Sequence, residues 1–274
     1  MKKKETIRDD AKWLDILLDL RREPVGVKFI FNEEDYQHAE SKESKAGIPY
    51  CTAVRNASIG SGCKMTLNHM ACLSSAKALG LMDRDNESLS GYRYYKMGIY
   101  KDLGVSRSIA KDMVYSEHKI YGVEVAPLCD FEKYDPDVVI IITNPYNSMR
   151  ISQGYAYDNG HIKNIQIGGM QGVCQECTTY PFENNQVNLS MLCSGTRCVA
   201  QWQKDELGIG IPFNKLSLII NGLKNTFNHM DQNSEKKLIE SKLKEYGLEN
   251  ELNIIYNRNY YTGVFGTIKS KQNK

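Results

Sequence analysis

Four of the chain's eight cysteines fall in one short run, Gly168 to Cys198, spaced as Cys174-x2-Cys177 and Cys193-x4-Cys198. Close pairs of thiols on single turns are a common way to bring sulfur to a metal. That demand constrains the fold more than anything else in the sequence, because a shared inorganic centre would tie distant turns together. An earlier segment holds three more, Cys51, Cys63 and Cys72, and reads as a second donor.

The two segments are laid out alike. Cys51 and Cys72 lie 21 residues apart, and Cys174 and Cys193 lie 19 apart. Each pair has an apolar, strand-like run upstream (25–31 and 138–143) and a helix-like stretch after its second cysteine. Internal repeats change the reading of a whole fold. Two pseudo-repeated halves, 12–122 and 123–230, would converge Cys51, Cys72, Cys174 and Cys193 on one point, although residue identity between them is negligible.

Hydrophobic periodicity supplies the elements. Helices are expected over 6–21, from Cys51 onward, and over 65–81, 148–157, 197–207, 214–227 and 234–246, the last charge-laced and exposed. Strands are expected over 25–31, 123–128, 138–143, 162–167 and 188–192, with 138–143 apolar enough to be central. Strand, helix and strand over 138–167 suggest a βαβ-like unit with the cysteine run just past its end, where open α/β sheets place their ligands. The expected class is α/β, a mixed sheet flanked by helices: a single cysteine-bearing domain over 1–230, then a C-terminal helix and tail over 231–274 whose last six residues read as disordered.

Charge excludes several functions. With 35 Lys and Arg against 33 Asp and Glu, scattered along the chain, no field of one sign is available for nucleic acid or an anionic membrane. The start, MKKKETIRDD, is basic but continues into charged residues where a secretory signal needs an apolar run. The run 138–142 is far too short to cross a bilayer. A cytoplasmic location is expected, where thiols stay reduced and eight cysteines argue for metal or redox chemistry over disulfides. No P-loop, dinucleotide fingerprint or nucleophile elbow appears.

Several motifs together resemble a prokaryotic family, domain of unknown function 169. They are PVGVKF (24–29), CTAVRNASIG (51–60), Ala71-Cys72 followed by LGL (79–81), Asn144-Pro145, and GVC…P…CSGTR within 172–197. The resemblance covers roughly 12–225. Its pattern falls on Pro24, Lys28, Cys51, Ala53, Cys72, Leu79, Gly80, Pro145, Gly172, Cys174, Pro181, Cys193, Gly195, Arg197 and Glu206, and so includes all four cysteines of the repeat. The family usually has glycine just after its second cysteine, where this chain has Ser74 and Ser75. The resemblance implies a fold and no mechanism.

Three chemistries fit the thiols. The first is a 4Fe-4S cluster held by Cys51, Cys72, Cys174 and Cys193, or by the local set Cys174, Cys177, Cys193 and Cys198. Lys28, Arg55 and Arg197 would offset its charge, the 168–172 backbone including Gly172 would donate N–H groups, and His69 or a tyrosine would supply protons. The second is structural zinc on the local set, and the third a metal-free Cys174-x2-Cys177 redox pair. The reading carried forward is an iron–sulfur redox protein, an oxidoreductase acting on a small-molecule substrate or an electron-transfer protein serving a redox partner protein, with Lys28 and Arg197 orienting an anionic group. Its rival is a zinc-stabilised small-molecule-binding module without catalysis. Asp205 and Glu206 read most simply as a solvated helix face.

Overall fold

The computed structural model describes residues 2–228 and 230–256, so the tail from 257, with the last six residues read as disordered, lies outside them. The chain opens with α1 (Lys2–Leu18), β1 (Val25–Ile30), α2 (Glu33–His38), α3 (Tyr50–Ala57), β2 (Cys63–Thr66) and α4 (Leu73–Leu79). Short helices α5 (Asn86–Leu89), α6 (Tyr92–Lys96) and α7 (Leu103–Asp112) lead to β3 (Gly122–Pro127). Then come β4 (Val138–Thr143), α8 (Pro145–Asn159), a π-helix (Gly172–Thr179), α9 (Tyr180–Asn184), β5 (Asn188–Ser190), α10 (Ser194–Ala200) and β6 (Leu207–Pro212). Helices α11 (Leu216–Asn225), α12 (Asn233–Glu245) and α13 (Asn253–Tyr256) close the described chain.

The fold is α/β, a six-stranded open sheet flanked by helices in the order β2-β3-β1-β4-β6-β5. Outward from the central β1–β4 pair, each side runs first strand, third strand, second strand of its own stretch of chain. Every ladder between these strands is antiparallel, the central one pairing Val25 with Ile140 and Val27 with Val138. The sequence suggested a mixed sheet; instead β3 and β6 turn back beside β1 and β4, so no parallel crossover is needed. The order is symmetric about the β1–β4 seam, and the connection 128–137 links the two sets of three strands.

Side chains alternate across a strand. Val25, Val27, Phe29, Val138, Ile140 and Ile142 point to one face and pack with Tyr50, Ala53 and Val54 of α3 and Val173 of the π-helix. Val139, Ile141, Ile209 and Ile211 point to the other, against Leu14 and Leu17 of α1, Ile151 of α8 and Ile219 and Leu223 of α11. Local signals end the helices as read: the Asn144 side chain caps α8, accepting the Asn147 N–H at 2.9 Å, and Gly80 closes α4 in the left-handed region at φ 88°.

Three expected elements differ. The helix read over 65–81 is strand β2 followed by α4, because residues 63–66 pair with β3 (Met65 with Val123), and Cys72 becomes the N-cap of α4. The strand read over 162–167 is irregular: the Gln166 N–H and carbonyl both bond the Asn188 side chain, at 2.9 and 3.0 Å, so the backbone joins no ladder there. The helix read over 197–207 stops at Ala200, and Gly208 and Gly210, just past that span, lie inside β6. A Cβ on Gly210 would meet the Cys177 carbonyl oxygen at 2.2 Å, so these glycines let the π-helix lie directly on the strand. Among the described residues, no helix is long and apolar enough to cross a membrane.

Candidate functional site

On the α3 face of the sheet four helix starts meet. Cys51 is the second residue of α3, Cys174 the third of the π-helix, and Cys72 and Cys193 are the N-caps of α4 and α10. All four line one cavity of about 240 Å³, together with Arg93, Tyr94, Gln171, Gly172 and Thr196. The packing that gathers them is crossed. Helix α4 packs on the π-helix and α10 packs on α3, which sets the second cysteine of each half beside the first of the other.

The π-helix decides which thiols share the cavity. In an α-helix, residues three apart share a face. The wider π turn swings Cys177 away from Cys174 and down onto the sheet, where a Cβ on Gly208 would meet its Sγ at 2.6 Å. The hydroxyls of Thr178 and Thr179 donate to the carbonyls of Val173 and Cys174, at 2.8 and 3.0 Å, supporting the widened turns from within. Gly172 lets this helix start hard against the 192–193 backbone, since a Cβ there would meet Leu192 Cα at 2.7 Å and Cys193 N at 2.8 Å. Before it, Gln171 is buried in the left-handed region at φ 50°. Its Nε2 donates to the hydroxyls of Tyr94 and Tyr115, the latter at 3.2 Å, while its Oε1 lies 4.0 Å from Cys174 Sγ.

Burial and the neighbouring thiols set the protonation of the cavity cysteines. Burial first, then the neighbouring Cys193 and Cys72, push Cys51 up to about 11. Burial, then Cys193, Cys72 and Cys51, hold Cys174 well above the ordinary thiol range. The Thr196 N–H donates to Cys193 Sγ at 3.4 Å. Without a cation these two thiols keep their protons at neutral pH, which argues against Cys174 as a metal-free nucleophile. A stability consequence follows. Folded Cys51 keeps its proton to about pH 11, whereas a thiol in an unfolded chain loses it near about pH 8.5. Above that point the folded state binds more protons, so its stability falls as pH rises. Metal-free protein should lose about 2 kcal/mol through this one group between pH 8 and 10. Guanidinium unfolding of the wild type and Cys51→Ala at both pH values reads it as a gap that shrinks with pH, and a constant gap would refute it.

Other residues read as site members lie elsewhere. Lys28 projects from the opposite face of β1, where its Nζ donates to Asp137 at 2.8 Å. Arg197 turns back from the cavity, its guanidinium donating to the carbonyls of Gln203, Met191 and Glu206 at 2.7, 2.9 and 2.7 Å, so it clamps the α10–β6 connection. His69 caps its own turn through Nδ1, which accepts the Thr66 N–H at 3.1 Å, and its Nε2 stands 3.6 Å from Glu43. Arg55 is on α3 but does not line the cavity. The local set Cys174, Cys177, Cys193 and Cys198 is not assembled, because Cys177 is buried on the sheet and Cys198 is exposed outside the cavity. Glu206, read as solvated, is 4% exposed and ion-paired with Arg22 at 2.6 Å. Among the described residues, no group of three or more His, Cys, Asp or Glu is placed to hold one metal ion.

Sequence reasoning gives Arg93, Gln171 and Thr196 no role, and offers Tyr94 as a pocket wall only behind packing. Tyr94 belongs to a tyrosine-rich stretch whose commoner use is packing, and Gln171 carries no signal in the sequence beyond its place before Gly172.

No solved structure matches the chain. A relative in Methanocaldococcus jannaschii, itself an uncharacterised protein, is 25% identical over 223 residues, covering 79% of this chain and 93% of its own length. A family model described as uncharacterised ArCR, domain of unknown function 169, matches residues 14–222, which span β1 to β6 and the four cavity cysteines. The chain belongs to that family.

Proposed function

We propose that the cavity holds an iron–sulfur cluster on Cys51, Cys72, Cys174 and Cys193, in a redox role toward a small molecule or a partner protein. The observation that carries this is that the four thiols, two from each side of the sheet's central seam, line one cavity. Zinc needs its sulfurs drawn to about 2.3 Å from one point. Four cysteines from separate elements lining one cavity are the donor set that a cluster of several irons and sulfides takes.

Bound there, such a cluster would take up and return single electrons. The protein's own part is electrostatic. Arg93 lies in the lining and pairs with no acidic side chain among the described residues, so its charge offsets that of the thiolates. The Thr196 N–H already points at Cys193 Sγ and stabilises a thiolate there. Tyr94, pushed upward chiefly by burial, keeps its phenolic proton and serves as a neutral hydrogen-bonding wall. Met97, Ile99, Met170 and Val199 make part of the lining apolar.

Anaerobic purification followed by visible absorbance and iron, sulfide and zinc analysis tests the reading. A brown protein containing iron and acid-labile sulfide supports it. A colourless zinc protein, or one that stays colourless after incubation with ferrous iron and sulfide under reducing conditions, overturns it.

A further inference from the structure

A second cavity, about 510 Å³, lies between α7 and the 166–170 segment. It is of ordinary ligand-pocket size. It shares Met170 with the cysteine cavity as a common wall. Its floor carries Glu176, which is 1% exposed. The Glu176 carboxylate accepts the Gly168 N–H at 2.7 Å, the Gly169 and Met170 N–H groups and the Ser190 hydroxyl, but no Lys, Arg or His forms an ion pair with it among the described residues. Asp112, at the end of α7, also lines the cavity and also has no ion-pair partner among the described residues. No basic residue appears in the lining.

A carboxylate taken out of water without a countercharge is costly, and proteins ordinarily meet that cost with a basic side chain. Here backbone N–H groups and a hydroxyl meet part of that cost, and the lining of the cavity holds no basic side chain. The remaining walls are complementary to a ligand with one polar end. The Gln175 amide donates to Gln166 Oε1 at 3.2 Å, and Gln166 Nε2 donates to the Asp112 carbonyl at 2.9 Å, so the loop is tied to α7 and the recess is preformed. Ile109 and Met170 supply apolar surface.

We propose that this recess binds a small organic cation, a primary ammonium on a short apolar body, with the ammonium between Glu176 and Asp112 and the body against Ile109 and Met170. Binding draws nothing from the cysteines and stands whether or not they hold a cluster.

The test is an NMR titration of the full chain with n-butylammonium, n-butanol and butanoate, three probes of similar shape that differ in charge. The ammonium should bind at least about tenfold more tightly than the other two, the difference expected for a charge-assisted hydrogen bond. Shifts should concentrate on the amides of 109–113 and 166–176. Glu176→Gln should weaken the ammonium about tenfold. If that variant fails to fold, Asp112→Asn, at an exposed helix end, should still weaken it severalfold. Three results would overturn the proposal: no ammonium binding, alcohol or carboxylate binding as well as the ammonium, or potassium or calcium chloride displacing it at equal concentration.

Discussion

Cys174→Ala and Cys193→Ala are each expected to empty the cysteine cavity of iron, whereas Cys177→Ala and Cys198→Ala retain it. The contrast is sharp because both members of the second group are neighbours of the first in sequence and neither lines the cavity. Cys51→Ala and Cys72→Ala should behave like the first pair, although they lie more than a hundred residues away. Because metal–thiolate bonds form only in the folded state, their free energy adds to folding. The same four variants should therefore lose the melting-temperature gain that the loaded wild type shows over its chelated form. Iron per chain in anaerobically purified protein is the measurement. Retention of iron in Cys51→Ala with loss in Cys198→Ala would return the ligand set to the local 174–198 run.

The second large effect is structural. Arg22 and Glu206 form a nearly buried ion pair, with side chains 13% and 4% exposed. Arg22 Nε and Nη2 reach both carboxylate oxygens, at 2.6 and 3.2 Å, and the guanidinium stacks over Trp202 at 4.9 Å. Glu206 Oε2 also accepts the Gln203 N–H at 2.7 Å, and the Glu206 carbonyl accepts from Arg197. The pair therefore fastens the α1–β1 turn to the connection that follows α10. Arg22→Met should destabilise by about 3–5 kcal/mol, because it strands the carboxylate in a site closed to water. Adding Glu206→Leu should recover a large part of that loss, since replacing both partners removes the unpaired charge. Arg21, one residue earlier, pairs with Asp205 at 3.0 Å with side chains 64% and 49% exposed. Arg21→Ala should change stability by less than about 1 kcal/mol. Denaturant unfolding of all four proteins checks both statements, and equal losses in Arg21→Ala and Arg22→Met would refute the burial argument.

Much of the architecture was legible locally. The run 138–143 reads as a central strand because both its faces are apolar, and it sits in the middle of the sheet, with Ile140 and Ile141 contributing to opposite cores. Asn144-Pro145 and Gly160 bracket α8 through capping chemistry that needs only neighbouring residues. What failed locally failed for tertiary reasons. Residues 63–66 have no strong strand signal; pairing with β3 makes them a strand. Gly208 and Gly210 look like helix breakers until the π-helix is laid against them. Lys28 and Arg197 fall on the family's pattern, yet both are spent on the scaffold, Lys28 on Asp137 and Arg197 on three carbonyls.

The sequence alone narrowed the thiols to two candidate sets, the repeat set Cys51, Cys72, Cys174 and Cys193 and the local run 174–198. Two matched separations between cysteines, each trailing an apolar strand, carry that information because covalent spacing and hydrophobic period are properties of the chain. Only the tertiary structure decided that Cys177 leaves its neighbour, that Arg93 and Gln171 replace Lys28 and Arg197 around the thiols, and that Glu206 is buried. Those outcomes depend on which way a side chain points. The face of β1, the width of the π turn and the crossing of α4 and α10 over the seam set that direction, and none of them exists before distant segments pack.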